Sequence, residues 1–251
     1  MIPVETNNDN YVFFIHDPET QATIVVDPGV ADSVLAEADK MGWRITHIFV
    51  THHHWDHVNG IEKIKAATGC RVIGHKKDAA RIPGLDDGVR ANEDILVGRL
   101  LAHVIGVDGH TIGHVAYYFP ALSAVFTGDT LFSLGCGRMF EGTADVFWES
   151  LKLLRRLPDD TAIYCAHEYT LGNGKFAQSL DPTNPYLQAR MKHAIALRQA
   201  NMPTLPISMA LEKMTNPFLR ADDPEFAKFL GLENVPPEQV FAAMRAKKDN
   251  F

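Results

Sequence analysis

Apolar residues in the first two thirds of the chain fall in short, β-branched runs separated by polar turns, which is the signature of strands. Tyr11–Ile15 and Ala22–Val26 are two such runs, joined by the turn Asp17-Pro18-Glu19-Thr20, and predict an antiparallel pair. Ala31–Met41 changes to helical spacing, with Gly42 as its closing residue. Ile45–Val50 predicts a buried strand, Ile61–Ala67 an amphipathic helix and Arg71–Gly74 a further strand. Residues 76–97 are polar and turn-rich with weak periodicity. Leu100–Ile105, Val115–Phe119 and Ala124–Thr127 resume the strand pattern. Ala144–Leu157 predicts a helix ended by Pro158, and Ala162–Cys165 a last strand. After about Tyr169 the strand signals nearly vanish. Pro185–Met202, Asp223–Gly231 and Pro237–Lys247 read as helices between proline-rich breaks. The pattern therefore predicts a mixed α/β domain over residues 1–168 and a smaller helical domain over residues 169–251.

Composition narrows the class. The chain has 251 residues, 46% hydrophobic and 22% charged, the balance of a globular protein with room for a sizeable core. A net charge of −7 argues against general nucleic-acid binding. Cys70, Cys136 and Cys165 are odd in number and widely spaced, so they form neither a disulfide framework nor a thiolate zinc site. Met1–Asn7 lacks the basic start and apolar run of a signal peptide, and no apolar run reaches membrane-spanning length. These features predict a cytoplasmic protein without a membrane partner. The absence of a strong apolar seam predicts a monomer.

Chemistry concentrates in Thr51-His52-His53-His54-Trp55-Asp56-His57, on the loop between the Ile45–Val50 strand and the next helix. The spacing His-x-His-x-Asp-His can wrap a cation from several sides, and imidazole with carboxylate suits zinc, iron or manganese rather than calcium. If His52 and His54 point to one side, His53 points away and supports the loop instead. Three further donors stand beside strand ends: His110 in Asp108–His114, Asp129 in Phe126–Thr130 and His167 in Cys165–Tyr169. Singly, each reads as an ordinary loop residue. Together with the loop cluster, one shared metal site explains them better. His114 falls outside this ligand set.

These motifs, with Gly135-Cys136-Gly137-Arg138, Phe140-Glu141-Gly142-Thr143, His167-Glu168-Tyr169-Thr170, Asp9-Asn10-Tyr11 and Met244-Arg245-Ala246-Lys247-Lys248-Asp249, resemble the metallo-β-lactamase superfamily, and within it the glyoxalase II (hydroxyacylglutathione hydrolase) family. The resemblance spans essentially the whole chain. It implies a four-layer αββα sandwich followed by a helical domain that helps bind glutathione. It implies two divalent metal ions, zinc foremost and iron or manganese otherwise. His52, His54 and His110 would hold the first metal, Asp56, His57 and His167 the second, and Asp129 would bridge both. Arg138, Tyr169, Arg245 and Lys248 would meet the glutathione. Phe140 stands where some relatives have Tyr, so one ligand hydrogen bond of about 1 kcal/mol would be missing.

The implied reaction is hydrolysis of S-(2-hydroxyacyl)glutathione, chiefly S-D-lactoylglutathione, to glutathione and D-lactate, a step of methylglyoxal detoxification. Two cations roughly 3.5–4 Å apart lower the pKa of a shared water, so no Ser or Cys nucleophile is required. Asp129 would set the metal separation, and Asp56 would orient that water or take its proton. A thiolate leaves without strong acid help. The nearest alternative is a single-iron persulfide dioxygenase on the same fold. A further alternative is a non-catalytic metal-binding protein that kept the fold.

Overall fold

The computed structural model describes residues 2–6 and 9–251, and its chain divides into two compact units. The first comprises Met1–Gly106 with Gly113–Gly128, the second Val107–Ile112 with Asp129–Phe251. Of the Met1–Asn7 stretch read above, Met1 and Asn7 lie outside the described residues.

The first unit opens with strands β1 (Ile2–Thr6), β2 (Asn10–Asp17) and β3 (Ala22–Val26), each antiparallel to the next. Helix α1 (Ala31–Met41), closed by Gly42, crosses to β4 (His47–Phe49), which lies parallel to β3. Helices α2 (Trp55–Val58) and α3 (Ile61–Thr68) lead to β5 (Arg71–His75), and β6 (Asp87–Val89) completes a mixed sheet in sequence order. A second, antiparallel sheet runs through β7 (Asp94–Val97), β8 (Leu100–Gly106), β9 (Val115–Phe119) and β10 (Ala124–Gly128).

The two-residue side-chain period decides which layer each face meets. Val12, Phe14, Val25, Ile48 and Val72 point outward and cluster with Val34, Ile61 and Ile64 of α1 and α3. The alternate residues point inward. Phe49 meets Tyr117 and Phe119 at ring distances of 4.7 and 6.2 Å, and Phe13 meets Phe126 at 5.4 Å, so the two sheets pack face to face under the helices. Parallel β3, β4 and β5 are joined by helical crossovers, which puts the segment after β4 at the carboxyl ends of strands, where open α/β sheets present ligand-binding loops.

The second unit contains the short hairpin β11 (Leu131–Phe132) and β12 (Gly135–Cys136), then α4 (Ala144–Arg155) and β13 (Ala162–Cys165). Helices α5 (Thr170–Leu180) and α6 (Pro185–Gln199) follow, then β14 (Ile207–Ser208), α7 (Met209–Thr215), α8 (Pro224–Phe229) and α9 (Pro237–Asp249). Helices α6 and α8 start on the capping residues Asn184 and Asp223, whose side chains accept from backbone N–H groups of the first turn, each followed by proline at the first helical position.

Most of the expected elements form close to their predicted bounds, and several corrections have physical causes. Residues 76–97 hold β6 and β7, whose alternate residues face outward and blur the apolar pattern. Ala162–Cys165 is not the last strand, because Ile207 and Ser208 pair antiparallel with Ile163 and Ala162. Helix α5 is missed because Gly172 and Gly174 depress its propensity. Gly174 is there for close approach: a Cβ on it would sit 1.9 Å from Met191 Sδ on α6. The Ile45–Val50 strand narrows to His47–Phe49.

Candidate metal centre

The His-rich segment leaves the carboxyl end of β4, and α2 turns it back at once. His54 stands before the first turn of that helix, and His57 N donates to His54 O at 2.9 Å. This single turn carries Asp56 and His57 on a rigid backbone immediately after His52 and His54. His52 and His57 are buried, whereas His54 and Asp56 are half-buried.

Asp27, at the end of β3, anchors the segment. Its carboxylate accepts from Thr51 N at 2.8 Å and from Thr51 Oγ1 at 2.7 Å, and lies 3.1 Å from His57 Nδ1. The Thr51 hydroxyl proton is committed to Asp27, so at 3.1 Å from His52 Nδ1 that hydroxyl accepts. His52 and His57 therefore both carry their protons on Nδ1 and turn the lone pair of Nε2 forward. His52 Nε2 faces His54 Nδ1 at 3.0 Å, and His57 Nε2 faces Asp56 Oδ2 at 3.6 Å. Asn10 Nδ2 orients Asp56 by donating to Oδ2 at 3.1 Å and to the Asp56 carbonyl at 3.3 Å. His53 does point away, toward the buried carboxylate of Asp78 at 3.3 Å. His114 stacks on the His52 ring at 4.6 Å.

The second unit presents His110, Asp129 and His167 in the same manner. His110 Nδ1 donates to the Arg138 carbonyl at 2.8 Å, which directs its Nε2 lone pair toward Asp129 Oδ2 at 3.5 Å. The other carboxylate oxygen, Asp129 Oδ1, lies 3.3 Å from His167 Nε2. One carboxylate thus faces two imidazoles with one oxygen each. His167 stacks on Tyr169 at 4.8 Å and meets the ring of Phe132 edge-on at 5.8 Å.

The first unit offers ligand atoms from His52, His54, Asp56 and His57, and the second offers them from His110, Asp129 and His167. The donor chemistry fits divalent cations. Acceptor lone pairs converge on acceptor oxygens, and a positive centre reconciles them. Nδ1 protons held by a carboxylate or a carbonyl are the usual outer support of metal-ligating histidines. The cysteines take no part. All three are free and buried, and burial pushes the Cys136 thiol up to about 11 and the Cys165 thiol up to about 12.

A pocket of about 650 Å³ in the second unit opens on His110 and Asp129 and continues to Arg138, Phe140, Tyr169 and Lys248. Phe140 is 61% exposed and touches His110 edge-on at 5.2 Å. Lys248 Nζ sits 5.3 Å from the ring centres of both Phe176 and Phe251. Burial, reinforced by Arg245 and Arg138, lowers its pKa from the ordinary 10.5. Arg245 is buried in the floor, where its guanidinium donates to Cys136 O and Asp249 Oδ1 at 2.9 Å each. Asp27 is a supporting residue that sequence reasoning missed, and Asn10 stood in a motif without a role. Asp27 carried a readable signal, a carboxylate at the end of a buried strand, which is the same signal that singled out Asp129.

Comparison with known proteins shows the family. Residues 7–167 match the metallo-beta-lactamase superfamily, and residues 168–251 match the hydroxyacylglutathione hydrolase C-terminus. The chain belongs to the metallo-β-lactamase superfamily and, within it, to the hydroxyacylglutathione hydrolase family. The hydroxyacylglutathione hydrolase of Rhodospirillum rubrum is 49% identical over 244 residues, covering 97% of this chain and 95% of the relative. That of Methylococcus capsulatus is 47% identical over 251 residues, covering 100% and 98%. The crystal structure of ETHE1 from Myxococcus xanthus is similar with a TM-score of 0.67 at 26% identity, covering 99% of this chain and 98% of that one. Among the described residues, no helix is long and apolar enough to cross a membrane.

Proposed function

We propose that the protein hydrolyses the thioester of S-(2-hydroxyacyl)glutathione, chiefly S-D-lactoylglutathione, and releases glutathione and D-lactate. The observation that carries this reading is the set of seven donors, five imidazoles and two carboxylates, beside a pocket that presents Arg138 and Lys248. In this reading residues 1–168 bring the main chemistry and residues 169–251 bind the glutathione. The protein acts as a cytoplasmic monomer, a reading supported by its composition.

Two divalent cations, zinc in this proposal, would be held by His52, His54 and His110 and by Asp56, His57 and His167, with Asp129 shared. When bound, they supply Lewis acidity at the thioester carbonyl and a water ionised near neutral pH. Asp56, oriented by Asn10, takes or steers the proton of that water. Asp129 keeps His110 and His167 in register through its separate oxygens. A glutathione thiolate is a weak base and departs without a protonated partner. Lys248 and Arg138 bind the peptide carboxylates. Lys248 gains from an incoming anion because its own surroundings disfavour its charge. Tyr169 and Phe140 line the path beside His167 and His110. The full donor set supports a two-metal hydrolase over a single-iron dioxygenase, which needs fewer ligands.

The test is metal counting with a thioester assay on the purified protein. The expected result is about two metal equivalents per chain and metal-dependent loss of thioester absorbance with S-D-lactoylglutathione. One iron with oxygen uptake, or no turnover of this substrate, refutes the proposal.

A further inference from the structure

The polar core of the helical region has a use beyond holding helices together. Arg190 on α6 and Glu212 on α7 form an ion pair with side chains 4% and 0% exposed. Replacing such a buried pair with apolar residues is often neutral or stabilising, so stability alone is a weak reason for it. Its other bonds point elsewhere. Glu212 accepts from the backbone N–H of Leu134 at 3.2 and 3.3 Å and from Asn216 Nδ2 at 2.9 Å. Arg190 donates to Ser133 Oγ at 2.9 Å and to Thr215 Oγ1 at 2.5 Å. Asn216 Nδ2 also donates to the carbonyls of Gly135 at 3.0 Å and Phe132 at 3.3 Å. Asn173 on α5 adds a bond to Ser133 O at 3.1 Å. Apart from the bonds to Thr215 and between Asn216 and Glu212, these grip residues 132–135, the turn of the β11–β12 hairpin and its flanks, including Leu134, held at φ 59° where non-glycine residues are uncommon.

Both ends of that hairpin touch metal donors. It begins two residues after Asp129. Gly137 follows its last residue, Cys136, and a Cβ on Gly137 would lie 2.0 Å from the Asp129 carbonyl and 2.9 Å from His110 Nδ1. The next residue, Arg138, supplies the carbonyl that holds His110 Nδ1. Phe132, on the first strand, abuts His167. A shift of the tip therefore moves the supports of all three donors of this unit together.

We infer that the buried Arg190–Glu212 pair, with Asn216, positions Asp129 and His110 for metal binding by clamping the hairpin that joins them. The inference rests on the two-metal reading above. Arg190, Glu212 and Asn216 are positioning residues, because none of them touches a cation or substrate. The helical region thereby builds the metal centre as well as binding glutathione.

The test compares wild type with Arg190→Met/Glu212→Leu, which removes both charges together, and with Arg190→Lys, which keeps the charge but loses the fork. Zinc affinity is measured by competition with a chromophoric chelator, alongside the visible spectrum of the Co²⁺-loaded protein and the melting temperature. The double variant is expected to stay folded and to bind its weaker zinc equivalent about 10–100-fold less tightly, with a shifted Co²⁺ spectrum. Arg190→Lys should weaken zinc binding in the same direction, and it carries the test alone if the double variant does not fold. Wild-type zinc affinity and spectrum in a folded variant overturn the inference while leaving the two-metal reading intact. A wild-type protein that takes up no zinc overturns both.

Discussion

The two sources of metal donors are built in opposite ways. His52, His54, Asp56 and His57 come from one loop and one helical turn, anchored by Asp27 through three contacts. His110, Asp129 and His167 come from three distant places in the chain and depend on backbone groups: the Arg138 carbonyl for His110 and the clamped hairpin beside Asp129. A local site tolerates drift elsewhere in the molecule, because its donors move together. An assembled site is only as exact as the scaffold between its parts. The helical region is that scaffold here.

Substitutions can break this contrast at its joints. The largest effect is expected for Asp129→Asn, which weakens the one side chain that addresses both His110 and His167. Metal content should fall to at most one tight equivalent and turnover by more than the ~100-fold that supporting residues control. Atomic absorption with steady-state kinetics checks this, and two tight equivalents in the variant would remove Asp129 from the shared position.

Asp27→Asn should come next. It disturbs Thr51 and His57 at once, so metal affinity should drop about 10–100-fold. If the local half is as self-contained as its geometry indicates, the KM for the glutathione thioester should hardly move. Chelator competition and a substrate titration separate the two quantities.

Lys248→Ala should raise KM by roughly tenfold, the worth of a charge-assisted contact, with little change in kcat, because the contact is remote from the bond that breaks. The wild-type KM should also rise as pH climbs through the lowered pKa of Lys248, below the ordinary 10.5, since the neutral amine no longer pairs with a carboxylate. The same shift means that the folded protein binds fewer protons than the unfolded chain within that window. This group's contribution to stability therefore grows as pH rises through it. An equal KM in mutant and wild type would take Lys248 out of substrate recognition.

The smallest expected effect is that of Phe140→Tyr. A hydroxyl on this exposed ring would add one ligand hydrogen bond of about 1 kcal/mol, lowering KM several-fold without touching kcat. An unchanged KM would place Phe140 outside the glutathione contacts.

Legibility from sequence followed the same division. The dense loop announced itself by composition and spacing, and strands such as Ala22–Val26 and Ala162–Cys165 were readable because β-branched runs between turns leave few alternatives. Helix α5 was hidden by Gly172 and Gly174, of which Gly174 has its reason in the close approach of α6. Strand β14 is two residues long and exists only because β13 offers it a partner. Arg245 was singled out only by the family resemblance, as a glutathione contact, and nothing in its local sequence told that its guanidinium lies buried against Cys136.

Residue type and short-range spacing were enough to specify donors, strands and caps, because imidazole chemistry, apolar periodicity and capping bonds act within a few positions along the chain. The tautomers of His52, His57 and His110, the shared role of Asp129's two oxygens and the clamp formed by Arg190 and Glu212 belong to the folded protein alone. Each depends, directly or through one neighbour, on partners far outside the local segment, and only packing brings those atoms together.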